Sequence, residues 1–278
     1  MPRPSPAEIR AARAENTTAR ERDFATHHGI TEADLLAAHV GRHDDTEITR
    51  IVAAPDRLLP PLAAFGDLMG LTRNDSCVIE KTGRYGGSDN RVALEIRPEH
   101  WVQGFAMARE VSGGTRHSLQ VFDAAGDSVH KVFLMEGQDA TGWAAMVAAL
   151  ALPEQSDALP PACPRPAPVA APAIGRELPA GAAERLMKAA AEAGVPVSFR
   201  VGNRGCTGSF AGLIHKVVPY GPWMNVLDPG LELHLRSDHI AAVRADGETV
   251  RATGKDGALI IEMGGLAPGW ADLLAAEG

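Results

Sequence analysis

The sequence LEIRPEH at residues 94–100 returns, with changes, as LHLRSDH at residues 233–239. Both segments alternate apolar and polar residues, as a half-buried strand does, and both reach an Arg that is followed three residues later by His. Self-similarity over so long a spacing indicates two copies of a whole domain rather than a stack of short repeats. We therefore expect a tandem duplication, and the cleft between duplicated domains is a natural place for a ligand.

A second pair of matching segments lies nearer the end of each half. DAAGD at residues 123–127 precedes GWAAM at residues 142–146, and KDG at residues 255–257 precedes GWADL at residues 269–273. Short alternating runs separated by Gly and Pro come before them, a pattern typical of an antiparallel meander. The sequence therefore predicts an α+β fold in which each copy is a large antiparallel β-sheet domain flanked by helices.

The chain divides into four segments. Residues 1–45 are expected to form the N-terminal helices of the first half, residues 46–152 the first repeat, and residues 180–278 the second repeat. Residues 153–179 contain eight prolines among Ala, Val and single charges. Such a segment favours extended polyproline II over helix or central strand, so we expect a flexible, protease-sensitive linker.

Helix signals are clearest at the start of each half. Residues 5–25 are predicted to form one charged, capped helix, and Thr31 to cap a second, shorter one. Residues 58–71 show a helical apolar pattern, and residues 182–193 show its counterpart, which Gly194 is placed to end.

Composition limits the class of protein. The net charge of −8 argues against a general nucleic-acid binder, which would show a basic surface. Three cysteines without a CxxC pair favour a reducing compartment. The N-terminus has no apolar segment typical of a secretory signal, and the longest apolar run, residues 143–152, is too short for a membrane span. We therefore expect a cytoplasmic protein with no nucleic-acid partner and no membrane insertion.

The spacing of several short motifs resembles the HemS/HmuS family of haemin-degrading and haem-trafficking proteins. In the second half the resemblance is carried by VGNRGC at 201–206, KVVP at 216–219, PWMNV at 222–226 and LHL at 233–235. In the first half it is carried by GITEADLL at 29–36, VIEKTG at 78–83, LEIR at 94–97, HWVQGF at 100–105 and VFDAAGD at 121–127. These segments cover nearly the whole chain outside the linker.

The resemblance implies a duplicated fold with one haem between the halves. It implies a cytoplasmic haem-binding protein of haem uptake and utilisation, which delivers haem or opens its ring to release iron. Haem would be the ligand or substrate, an external reductant would serve ring opening, and a haem importer or a downstream haem acceptor would be a partner. Two alternatives stay open: a non-enzymatic haem or tetrapyrrole carrier, and a divergent paralogue that has lost haem and acts as an interaction module.

Two departures from the family pattern affect the expected site. The family's axial histidine lies at the start of the second half, where this chain has its proline-rich segment, and no His occurs between His130 and His215. The family also places a Tyr and an Arg near the position of MGGLA at residues 263–267, and this chain has neither. The haem iron ligand and any catalytic residue are therefore left unassigned, and ring-opening activity stays an open question.

Arg97 is the best candidate for a haem-binding residue. The resemblance places it on the distal face of the haem, where a guanidinium can contact the ring or grip a carboxylate. Its repeat partner Arg236 favours the alternative of a structural arginine at a sheet edge. His117 and His130 are candidates for a replacement iron ligand because both fall in strand-like segments of the first half. His234 is a weaker candidate, in a strand and at a position that resembles the family.

Other chemistries find little support. GNRGCTG at residues 202–208 lacks the Lys-Ser/Thr pair of a phosphate loop and is read as a tight turn between strands. The chain has no Gly-x-Ser-x-Gly elbow and no HExxH motif, so neither a serine hydrolase nor a zinc site of that type is indicated. Any chemistry would rest on a bound cofactor.

Overall fold

The computed structural model describes residues 3–278, in which the strands form two antiparallel sheets of ten and seven strands. The chain groups into two compact units. Unit 1 comprises the residues up to Met69, Arg84–Asp89 and Ile96–Pro166, and unit 2 comprises Gly70–Gly83, Asn90–Glu95 and Ala167–Gly278. The α+β prediction is confirmed. The units follow a different division from the four sequence segments, because residues 70–83 and 90–95 of the first repeat belong to unit 2.

The helices and strands are the following. The helices are α1 (Pro6–Glu15), α2 (Glu21–His27), α3 (Glu32–Ala38), α4 (Pro55–Leu58), α5 (Ala140–Leu150), α6 (Ala182–Ala193) and α7 (Gly269–Ala275). The strands up to the linker are β1 (Gly41–His43), β2 (Thr46–Ile51), β3 (Asp67–Arg73), β4 (Cys77–Arg84), β5 (Ala93–Ile96), β6 (Gln103–Val111), β7 (Gly114–Phe122) and β8 (Ser128–Phe133). The later strands are β9 (Arg176–Leu178), β10 (Val197–Gly202), β11 (Cys206–Gly212), β12 (Val217–Tyr220), β13 (Trp223–Asp228), β14 (Leu231–Arg236), β15 (Ala242–Asp246), β16 (Thr249–Thr253) and β17 (Leu259–Gly265).

Unit 1 is built on the neighbouring strands β1, β2, β6, β7 and β8. Alternate residues of β6 and β7, including Phe105 and Phe122, form a core with Ala33 and Leu36 of α3. Burying such a face stabilises the sheet because the area removed from water is apolar. The predicted Thr31 cap is confirmed, since its Oγ1 accepts a hydrogen bond of 3.0 Å from the backbone of Asp34.

Unit 2 contains the seven-stranded sheet, in the order β5-β11-β10-β17-β16-β15-β9. It also contains β4, which pairs with β14, followed by β13 and β12. The core of this unit includes Leu186 of α6, Phe199 of β10 and Trp270 of α7. Gly194 ends α6 with φ of +64°, a conformation that glycine adopts without strain, so the predicted helix of residues 182–193 is confirmed.

The duplication is visible in the turn that precedes the last strand of each copy. Asp123 Oδ1 accepts hydrogen bonds from the backbone of Ala125 and Asp127, at 2.9 and 3.0 Å. In the second copy, Asp256 Oδ1 accepts one from the backbone of Ala258 at 3.0 Å. The two matching sequence segments therefore fold into the same aspartate-capped turn.

Two helix predictions were wrong in part. Residues 5–25 form two helices, α1 and α2, because the polar residues from Asn16 onward interrupt the first. Residues 58–71 were predicted to be helical, but α4 ends at Leu58, a 3-10 turn covers Pro60–Phe65, and β3 begins at Asp67. Adjacent prolines remove backbone donors that an α-helix needs, and the buried side chains of β3 alternate as in a strand.

Parts of the proline-rich segment contact the rest of the chain, and its protease sensitivity stays a prediction. It contains the short strand β9, and its first part is tied to unit 1. Arg50 Nε donates to the carbonyl of Ser156 at 2.7 Å, and Arg165 lies 2.7 Å from the Asp127 carboxylate. Within residues 3–278, no helix is long and apolar enough to cross a membrane.

Candidate functional site

Arg97 and Arg236 occupy equivalent positions in the two copies. Each caps a one-turn 3-10 helix that follows a strand, Pro98–His100 in the first copy and Ser237–His239 in the second. This arrangement confirms that the two segments quoted first are structural repeats. Arg97 is half-buried, and its carbonyl accepts a hydrogen bond of 3.1 Å from the backbone of His100.

The two arginines differ in what their repeats place beside them. Arg236 makes a bidentate contact with Asp238, at 2.7 Å for both nitrogens, and its guanidinium lies 5.2 Å from the centre of the Trp223 ring. At the position of Asp238 the first copy has Glu99, whose carboxylate lies 3.9 Å from His100 instead. Arg236 is therefore held within its own turn by Asp238.

His130 lies at the centre of a buried aromatic cluster in unit 1. Its side chain, on β8, is 1% exposed, and its Nε2 lies 2.6 Å from the Tyr85 hydroxyl. The Trp101 ring lies 6.3 Å from the imidazole, measured between centroids. Trp101 directly follows the turn that Arg97 caps, so the cluster and Arg97 lie close in the chain. Trp101 belongs to the HWVQGF motif, but no sequence pattern indicated that it and Tyr85 lie beside His130, because these contacts join segments far apart in the chain.

His117 lies on β7 and projects from the same face of the sheet as His130. The register pairs Val121 with His130, and residues 117 and 121 share a face because side chains alternate. Four residues along a strand correspond to about 13 Å, so the two imidazoles do not form one site. His117 is half-buried, and burial lowers its pKa, although the charge of Glu110 opposes this. The neutral imidazole, the form that binds metals, is favoured.

His234 lies in unit 2, on β14, and faces away from the buried leucines of its strand as predicted. Its Nδ1 lies 2.7 Å from Asn225 Oδ1 and its Nε2 lies 3.5 Å from the Glu232 carboxylate. Because an amide oxygen only accepts, Nδ1 carries the proton of this bond. His234 is therefore engaged with its neighbours on the sheet.

The described residues contain no ready-made metal centre. Among residues 3–278, no group of three or more His, Cys, Asp or Glu side chains is placed to hold an ion. Cys77, Cys163 and Cys206 are free thiols, and burial raises the pKa of Cys77, which makes its thiolate scarce. The candidate ligand-binding side chains are therefore the single imidazoles and guanidinium groups described above.

Comparison with known proteins identifies the class. The model of the haemin-degrading HemS.ChuX domain matches residues 29–150 and again residues 168–258, so the chain belongs to this family and carries two copies of its domain. The hemin transport protein HmuS of Yersinia pestis is 30% identical over 296 residues, covering 88% of this chain and 84% of that protein. HemS of Yersinia enterocolitica is 28% identical with the same coverage. The family resemblance seen in the sequence is confirmed.

A solved structure extends the comparison to the fold. Holo-PhuS, a heme-binding protein from Pseudomonas aeruginosa, superposes on this chain with a TM-score of 0.87 and 29% identity. The match covers 99% of both chains. The tandem-duplicated architecture is therefore shared over the full length.

Proposed function

We propose that this chain binds haem in the cytoplasm as a protein of haem uptake and utilisation. The observation that carries the proposal is the full-length similarity to holo-PhuS, a heme-binding protein, together with the two matches to the HemS.ChuX domain. A haem importer would supply the ligand, and a downstream acceptor would receive it.

The side chains present fit such a ligand. Haem carries carboxylates, which guanidinium groups bind through forked donors, and an iron that neutral imidazole ligates. Arg97 supplies a half-buried guanidinium at the start of the turn that follows β5. His117 supplies an imidazole biased towards its neutral form. His130 could ligate iron only after its hydrogen bond to Tyr85 broke and its buried side chain became accessible.

We favour delivery of haem over opening of its ring. The chain has no histidine between His130 and His215, the region in which the sequence resemblance places the axial ligand. Delivery needs only reversible affinity, whereas ring opening needs a positioned iron and an external reductant. A non-enzymatic carrier therefore requires less of the residues present than a haem-degrading enzyme does.

A haem titration of the purified protein tests the proposal. We expect a shifted Soret band that saturates near one haem per chain. Absence of any saturable shift would overturn haem binding and favour an interaction module. Adding ascorbate under air to the complex then separates the two activities. A stable haem spectrum and transfer to apomyoglobin support delivery, while loss of the Soret band with release of iron would show ring opening.

A further inference from the structure

The turn that begins at Arg97 ends at a histidine, His100. Arg97 caps the 3-10 helix Pro98–His100, and in such a helix side chains three residues apart lie on the same side of the turn. One turn rises about 6 Å, a distance that the long side chain of an arginine can span. Arg97 and His100, both in unit 1, can therefore contact one ligand together.

In the second copy, the equivalent histidine, His239, serves the fold. Its Nδ1 lies 2.9 Å from the Ser76 hydroxyl. The carbonyl oxygen of Ser76 also accepts a hydrogen bond of 2.8 Å from the backbone of Arg236, at the start of the same turn. The imidazole of His239 is therefore fixed to the loop that precedes β4, within unit 2.

The other copy has no counterpart of that hydroxyl. Asn74 and Asn203 open equivalent turns, because the Oδ1 atom of each accepts hydrogen bonds from the backbone two and three residues later. Gly205 therefore stands at the position of Ser76 and has no side chain to offer.

His100 is correspondingly less engaged than His239. Within residues 3–278, the one polar contact of its imidazole is with the Glu99 carboxylate, at 3.9 Å. That separation is longer than a hydrogen bond, and the side chain is 31% exposed. The ring of His100 is therefore accessible to a ligand from solvent.

The chemistry of this turn suits an iron porphyrin. Imidazole ligates haem iron through one ring nitrogen, and a metal-ligating histidine usually donates the proton of its other nitrogen to a carboxylate or a carbonyl. The Glu99 carboxylate can accept that proton after a small movement of its exposed side chain. The guanidinium of Arg97 suits a haem carboxylate, which its forked donors bind.

The two strand histidines predicted as iron ligands are less well placed for a haem at Arg97. His130 is 1% exposed, in the core of unit 1. His117 pairs with Ala108 of β6, five residues beyond the start of that strand. Five residues of a strand span about 17 Å, so His117 lies near the end of β6 that is remote from the Arg97 turn.

We propose that His100 ligates the iron of the haem bound at Arg97, with Glu99 as the residue that positions its ring. The inference rests on the proposed function and supplies that haem with an iron ligand in place of the missing axial histidine. It keeps a single site, because one turn contributes both the imidazole and the guanidinium. The duplication explains the difference between the copies: the histidine that Ser76 holds serves the fold, and its twin is left for a ligand.

The test makes the same substitution in each copy of the full-length protein. His100→Gly should change the electron paramagnetic resonance spectrum of the ferric complex and weaken haem binding roughly tenfold or more. Added imidazole should restore the wild-type spectrum, because it fills the space of the lost ring. His239→Gly is the matched control. It should leave the spectrum and the affinity unchanged and lower the urea midpoint more than His100→Gly does, because it breaks the bond to Ser76.

The outcomes separate this inference from the proposed function. If the wild-type protein binds no haem, the proposed function fails and this inference fails with it. If the wild-type protein binds haem and His100→Gly keeps its affinity and spectrum, only the role of His100 is overturned. A spectrum lost in His117→Ala and kept in His100→Gly would place the ligand on β7 instead. A changed spectrum in His100→Gly that imidazole does not restore would also overturn ligation, and circular dichroism of each variant checks that the fold is intact.

Discussion

Asn74 and Asn203 each donate a side-chain hydrogen bond to the backbone of the other's turn. Asn74 Nδ2 lies 3.2 Å from the carbonyl oxygen of Gly202, and Asn203 Nδ2 lies 2.9 Å from that of Arg73. The two asparagines come from different repeats, yet both lie in unit 2. Equivalent residues of the two copies are thus joined by an exchange of equivalent hydrogen bonds.

Replacing either asparagine should destabilise the protein. Asn74 Oδ1 also accepts from the backbone of Ser76 and Cys77, at 2.9 and 2.8 Å, so Asn74→Ala removes partners from its own turn as well. We expect a loss of about 1–3 kcal/mol in the free energy of unfolding, measured by urea denaturation. The double variant with Asn203→Ala should depart from additivity by at least about 0.5 kcal/mol. Asn16→Ala is an exposed control, and strict additivity would argue against the exchange.

Arg97→Ala should weaken haem binding roughly ten- to a hundredfold, the effect of losing one charge-assisted hydrogen bond. Arg236→Ala is the matched control from the other repeat, since Asp238 and Trp223 already engage that guanidinium. Affinity is read from a Soret titration. Equal losses in both variants would show that the arginines serve the fold alone.

Tyr85→Phe should destabilise the protein without changing haem affinity. The substitution removes the hydroxyl that lies 2.6 Å from His130 Nε2 inside the core, at a cost of about 1–3 kcal/mol. Tyr220→Phe, at a hydroxyl that belongs to a 79% exposed side chain, is the control. If His130 ligated iron, its bond to Tyr85 would have to open first. Tighter haem binding by Tyr85→Phe would therefore indicate that His130 is the ligand of the haem iron.

Protonation of His39 should cost stability in mild acid. Its pKa in the folded protein lies below the ordinary value of 6.5, chiefly through burial, so the unfolded chain takes up the proton more readily. The contribution of the neutral ring is complete above about pH 6.5 and is lost as pH falls through the lowered pKa. Chemical denaturation from about pH 8 to about pH 5 should show a smaller decline for His39→Asn than for wild type. Parallel curves would contradict this.

Limited proteolysis with proteinase K should cut first near Val169, which is 88% exposed. Residues on either side are held, Arg165 by Asp127 and Ala171 by the carbonyl of Gly257 at 2.9 Å. The two fragments should still elute together from a sizing column, because β4 of the first fragment pairs with β14 of the second. A first cut inside either repeat, or fragments that separate, would contradict the structure.

Much of the fold, but little of the candidate site, could be predicted from local sequence signals. The Thr31 cap, the Gly194 stop and the alternating leucines of β14 act on their own neighbours, so a sequence pattern reveals them. The helix prediction for residues 58–71 was wrong because the apolar spacing suits a helix. The adjacent prolines end α4 and pairing within the sheet makes residues from Asp67 onward a strand. Placement of His117 and His130 on strands was predicted and confirmed.

Contacts between distant segments could not be predicted in this way. The bond of Tyr85 to His130 spans 45 residues, and the two asparagines meet across more than a hundred. Such arrangements leave no periodic trace in the sequence.

Because β4 belongs to unit 2, the two copies depend on each other to complete a sheet. A gene split at the proline-rich segment would yield one polypeptide that carries a strand the other needs, and a second polypeptide whose β14 exposes an unpaired edge. Deletion of either half would leave the remaining half prone to association through its unpaired strand, β4 or β14. We therefore expect the two copies to be retained together in one gene.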